Sequence, residues 1–117
     1  MSDCLQLTFQ GFDLHRRGHR ERRNLNTRQI QAIVAKFYHL KTEDMYGPRR
    51  LRWIARPRQI AMYLTRELTG HSLPRIGREF RRDHSTVHHG IHLVEELCRS
   101  DPETLAAVDA LYRRLAG

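Results

Sequence analysis

The most constraining feature of this chain is a pair of helix-capping residues, Ser72 and Asp83, with a short apolar-periodic segment between them and a long one after the second. Ser72 has Pro74 in the following first turn, and Leu73, Ile76 and Phe80 supply the apolar positions of a short helix. Arg81-Arg82 then make a tight turn, and Asp83 caps a longer helix with Val87, Ile91, Val94 and Cys98 on its inward side. Two helices joined this tightly form a helix-turn-helix. Gly77 lies where a side chain would hold the two helices apart. The glycine usual in the turn is replaced by Arg81-Arg82.

The rest of the chain follows the same period. Ile30, Ile33, Val34 and Phe37 fall at i, i+3, i+4 and i+7, with Asn26 or Thr27 as N-cap. Thr42 is placed to cap one helical turn before Gly47-Pro48 breaks the chain. A helix is predicted from about Ala55, with Pro57 in its first turn, Ile60, Ala61, Leu64 and Leu68 as its buried stripe and Gly70 as its terminator. Asp101-Pro102-Glu103 opens the last helix, whose face is Leu105, Val108, Leu111 and Leu115. No segment alternates with period two long enough to form a strand, so the body is all-α, a helix-turn-helix bundle over residues 26–117. Residues 1–25 form a basic N-terminal arm. Its run His15 to Arg23 holds five arginines against one acid, which cannot build a core. It reads either as a solvated tail or as an arm along a nucleic-acid backbone.

Charge narrows the partner. The 117 residues carry 21 Lys and Arg against 13 Asp and Glu, a net +8, and only Lys36 and Lys41 are lysines. Arginine's planar fork suits phosphates and guanine edges. Residues 49–82 contain ten arginines and two acids, Glu67 and Glu79, so this segment alone carries the net charge of the whole chain. A solvated surface ordinarily mixes the signs. Such a segment suits phosphate neutralisation, with an anionic membrane as the weaker alternative for the amphipathic helix 55–69.

On the long helix, a turn of about 100° per residue puts the apolar residues on one side and Ser85, His89 and His92 on the other, flanked by Thr86 and His88. His84 stands at the N-terminal tip, the end that enters a groove first. This face offers hydroxyls and imidazoles, short groups that reach base edges at little entropic cost.

The segments Ala55-Arg56-Pro57-Arg58-Gln59-Ile60-Ala61-Met62-Tyr63-Leu64, Glu67-Leu68-Thr69, Ser72-Leu73-Pro74-x-Ile76-Gly77 and Arg82-Asp83-His84-Ser85-Thr86-Val87 resemble the C-terminal duplex-binding domain of DnaA, the bacterial chromosomal replication initiator, from about Asn26 onward. The resemblance implies a bundle of the Trp-repressor-like type and binding of double-stranded DNA at DnaA-box-like sites, in regulation of replication initiation or transcription. It implies that Arg50 enters the minor groove and that Leu73 and Pro74 touch thymine methyls. Asp83, His84 and Ser85 would read bases; Arg52, Arg58, Gln59, Arg66, Thr86 and His89 would hold phosphates. A monomer in the bacterial cytoplasm, associated with the nucleoid, is expected. Members commonly carry threonine where Ser85 stands, and leucine where His88 stands. Serine keeps the hydroxyl but lacks the methyl that could meet a thymine.

Other chemistry finds less support. His84, His88 and His92 are spaced for a metal, but no cysteine or carboxylate completes the set, so no cofactor or metal is expected. No nucleophile–base couple or carboxylate pair has an assignable role, and the sequence lacks the GxxxxGK[ST] phosphate loop of the initiator's ATPase. The expectation is therefore of no enzyme, no small-molecule substrate and no membrane partner, with a protein-interaction adaptor of the replication machinery as the competing reading. Trp53, Tyr38, Tyr46 and Tyr63 read as core or loop anchors. His39 and His71 read as surface residues. Cys4 and Cys98 read as free thiols, and Met1 to Leu5 lack a secretory signal.

Overall fold

The structure is a computed structural model that describes residues 25–49 and 51–116. The expected arm, apart from Leu25, and Arg50 lie outside the described residues. Among those described, the elements are all helices: α1 Thr27–Phe37, α2 Glu43–Tyr46, α3 Arg52–Thr69, α4 Leu73–Phe80, α5 His84–Ser100 and α6 Pro102–Ala116. The chain is all-α as its periodicity predicts.

Caps start these helices where the sequence places them. Asn26 accepts from the Gln29 amide while Gln29 returns a bond to the Asn26 amide, a reciprocal capping box. Ser72 accepts from the Arg75 amide at 3.3 Å and Asp83 from the Thr86 amide at 2.8 Å. Asp101 accepts from the Thr104 hydroxyl at 2.6 Å at the head of α6. That hydroxyl, followed by the Glu103 and Thr104 amides, holds the Asp101 carboxyl below its ordinary range. Thr42 differs from expectation: its hydroxyl makes no cap bond, and the turn is closed instead by Asp44 accepting from the Lys41 amide at 3.1 Å.

α3 is the axis of the molecule, packed on α1, α5 and α6. It begins three residues before the predicted start, because Leu51 is the extended cap residue and its carbonyl accepts from the amides of Ile54 and Ala55. Pro57 therefore sits inside the helix and withholds an amide from the Trp53 carbonyl. Residues 60–65 are buried all the way round, so the expected amphipathic stripe is the middle of a core helix. The apolar face of α3 is covered by α1, α5 and α6. No helix among the described residues is long and apolar enough to cross a membrane.

The core joins Ile30, Val34, Ile60, Leu64, Leu68, Ile76, Phe80, Val87, Ile91, Val94, Val108 and Leu111, with Leu25 and Phe37 packed at its edge. Removing this apolar surface from water is the main stabilising term. Cys98 belongs to it: burial, with Glu95 nearby, pushes its thiol up to about 11. The thiolate fraction at neutral pH is therefore very small. Two aromatic expectations divide here. Tyr63 is a buried anchor, whereas Trp53 is 65% exposed on the first turn of α3 and anchors nothing in the core.

Candidate nucleic-acid interface

The turn between α4 and α5 is built by backbone geometry. Arg81 adopts the left-handed conformation at φ 56° and ψ 45°, the position where glycine carries no steric penalty. The Arg82 amide then donates to the Gly77 carbonyl at 2.8 Å. A Cβ on Gly77 would lie 2.6 Å from the Arg82 carbonyl oxygen, so only glycine lets the chain fold back at this point. Both sequence expectations for this turn hold, and the arginine that replaced the turn glycine carries the strained conformation itself. Its guanidinium lies 5.1 Å above the Tyr46 ring, with Arg28 at 5.3 Å from the same ring.

α5 presents its polar side outward. His84, Ser85, Thr86, His88, His89 and His92 are exposed, while Val87, Gly90, Ile91, Val94 and Cys98 are buried. The Asp83 carboxylate is held below its ordinary range by the Thr86 amide first and the Thr86 hydroxyl second, against a smaller desolvation effect. It is therefore an anion oriented by the helix it caps. The His88 and His92 rings meet edge-on with centroids 4.6 Å apart, and His92 Nδ1 lies 3.4 Å from a Glu95 carboxylate oxygen. These two imidazoles interact along the helix. Leu73 is half-buried and Pro74 exposed at the head of α4.

The basic loop before α3 is held from behind. Arg58 was expected on phosphates, but it is only 6% exposed. Its Nε donates to the Asp44 and Met45 carbonyls at 3.2 Å, and its Nη2 to those of Asp44 at 2.6 Å, Arg49 at 3.1 Å and Gly47 at 3.5 Å. This burial has a clear cause. Ile54 extends the buried stripe of α3, and Arg58 lies one turn beyond it on that side. Arg82 adds a tether from the helix-turn-helix, its Nη2 donating to the Gly47 carbonyl at 2.8 Å. Gly47 thus accepts from two guanidinium groups, and the chain leading to Arg50 is fixed relative to α4–α5. Asp44 stands 4.0 Å from Arg49.

The other expected phosphate holders divide. Arg52 is exposed. Gln59 accepts from Arg56 at 3.2 Å, and its side chain packs where a Cβ on Gly90 would come within 3.1 Å. Arg66 is exposed and donates to the His71 carbonyl at 2.7 Å. Nothing in the sequence reading identified Gly90 as the crossing point of α3 and α5. A glycine inside a strong helical pattern was the available signal, since it costs about 1 kcal/mol relative to alanine and needs a packing reason.

Glu79 is a second feature missed. Its carboxylate accepts from the Thr27 hydroxyl at 2.6 Å and pairs with Arg75 Nε at 3.4 Å, while its carbonyl accepts from Gln31 at 3.2 Å. His71 was expected at the surface, yet its Nδ1 lies 3.4 Å from the Thr27 hydroxyl and 3.5 Å from Glu79. This cluster joins α1 to α4 and keeps the turn in place. One of only two acids in a cationic segment was the clue to a structural role. Among the described residues, no group of His, Cys, Asp and Glu is placed to hold a metal ion.

A short helix, a turn closed on a glycine and a second helix with a polar outer face define a helix-turn-helix protein. Residues 27–94 match the family described as the bacterial dnaA protein helix-turn-helix, and the chain belongs to that family. It is 51% identical over 94 residues to the chromosomal replication initiator protein DnaA of Cereibacter sphaeroides, covering 80% of this chain and 20% of that protein. Against DnaA of Anaplasma marginale it is 45% identical over 104 residues, 88% of this chain and 21% of the relative. A solved structure described as a DNA replication initiation factor matches with a TM-score of 0.68 at 34% identity, over 92% of this chain and 32% of the other. The chain spans about a fifth of the length of these curated relatives.

Proposed function

We propose that this chain binds double-stranded DNA sequence-specifically at sites resembling the DnaA box, and that it acts in replication initiation or its regulation, or in transcription, as a monomer in the bacterial cytoplasm and nucleoid. The observation that carries the proposal is the exposed outer face of α5. It offers His84, Ser85, Thr86 and His89 behind an oriented Asp83 carboxylate, and no acid other than the cap lies in its first turn. Short donors and acceptors at the tip of the second helix suit base edges in the major groove. Leu73 and Pro74 at the head of α4 supply apolar surface for thymine methyls.

Arg50, next to the tethered Gly47–Arg49 stretch, is the residue assigned to the minor groove. Arg52, Gln59, Arg66, Thr86 and His89 are assigned to phosphates. Arg58 supports the loop rather than reaching outward. The chain binds without hydrolysing ATP, as its sequence contains no GxxxxGK[ST] segment. A protein adaptor would not need this bare reading face.

The test is affinity for a duplex carrying the DnaA box and for a scrambled duplex of equal length, each at two salt concentrations. Preference for the box by at least about a hundredfold is expected. Equal affinities would remove the sequence-specific claim.

A further inference from the structure

Trp53 is the only tryptophan in the chain and the one large apolar side chain that stands exposed among the described residues. It occupies the first turn of α3, directly after Arg52, close behind Arg49 and one turn before Arg56. No acid lies in that turn. An indole in such a setting is anomalous for a solvated helix end, since it exposes apolar area where a polar residue would do. Building on the DNA-binding reading above, we propose that Trp53 is a DNA-contacting residue that packs its indole on the deoxyribose wall of the minor groove beside the basic loop.

Three observations select duplex DNA as the occupant. The flanking side chains Arg49, Arg52 and Arg56 are exposed cations, which draw phosphates to this end of α3. The indole combines a large apolar face with a single N–H donor, which suits a surface that alternates apolar sugar edges with oxygen acceptors. A second copy of the chain is disfavoured, because each copy carries +8 and one indole supplies far less area than a stable dimer buries. The contact is non-ionic and sequence-tolerant. It adds affinity on every duplex without releasing counterions.

The 117-residue chain provides a direct probe, because its indole emission comes from Trp53 alone. Saturation with box duplex should quench that emission and shield it from acrylamide. Trp53→Ser should weaken box and scrambled duplexes alike, by about five- to tenfold, with an unchanged slope of log affinity against log salt. Trp53→Phe should recover part of the loss. The residue's exposure leaves the fold intact, which helix content by circular dichroism checks. If a labelled box duplex binds while emission, acrylamide access and Trp53→Ser affinity stay unchanged, the inference fails and the DNA-binding reading stands. Absence of any duplex binding would overturn both. A concentration-dependent dimer that Trp53→Ser abolishes would overturn the inference in favour of self-association.

Discussion

The α4–α5 turn and the loop before α3 are the two cationic edges of this molecule, and they are held by different means. The turn is made of neighbours in sequence: the Ser72 cap, Gly77 beneath Arg82, Arg81 in the left-handed conformation and the Asp83 cap. The loop is held by guanidinium groups from elsewhere, Arg58 from α3 and Arg82 from the turn, both bonded to its carbonyls. A local device forms with its helices, whereas a remote one exists only after the helices have packed. Damage to the turn should therefore destroy both edges. Damage to the loop's support should leave the turn intact.

Gly77→Ala should have the largest effect. Its methyl would meet a backbone oxygen, which cannot rotate away as a side-chain end can. A loss of about 3 kcal/mol of stability is expected, read as a lower urea midpoint, with loss of binding to any duplex. A Gly77→Ala protein of unchanged midpoint would show that the turn has slack and that the contrast between the two edges is overdrawn.

Arg58→Leu breaks the comparison from the other side. It removes a buried cation and its bonds to several loop carbonyls, for a loss of about 2 kcal/mol. Box affinity should fall because the loop drifts. The salt slope should stay near that of the wild type, since no phosphate contact is lost. Arg52→Ala, by contrast, should lower the slope by about one unit. A slope change of that size for Arg58→Leu would put its guanidinium on the DNA backbone after all.

His84→Ala should act on the bound state alone. Its ring is exposed at the tip of α5, so the unfolding midpoint should hardly move. Affinity for the box duplex should fall by about 1–2 kcal/mol while affinity for scrambled DNA persists. Equal losses on both duplexes would assign the ring to phosphate instead of a base.

What the sequence revealed follows the same division. The Asn26, Ser72, Asp83 and Asp101 caps, the stripe of α5 and the need for glycine at position 77 were legible, because each rests on residues a few positions apart. The loop was legible as a charge pattern but not as a structure. Starting α3 at residue 55 left out Ile54, and without Ile54 the buried side of the helix stopped short of Arg58. Periodicity also sees apolar residues as inward, so it could not show that an arginine was buried or that Trp53 was not. The Glu79–Thr27–His71 cluster joins residues far apart in the chain, which no local pattern encodes.

The smallest effect concerns the turn's one departure from the usual pattern. Arg81 carries a side chain at φ 56° and lies over Tyr46. Replacing it with glycine removes the cation–π contact as well as any strain, so that single substitution confounds the two. Arg81→Gly and Arg81→Val lose the same charge and the same contact. They differ in how well each residue tolerates a left-handed backbone. Glycine enters it freely, though its unfolded chain is the more disordered, and a β-branched residue is strained there. The valine variant should therefore be less stable than the glycine variant by about 1 kcal/mol, measured as the difference between their urea midpoints. Their duplex affinities should match, because neither retains a cation at that position. Equal stabilities would mean that the turn adapts to its residue, and that the strained arginine contributes charge without constraining the angle between the two helices.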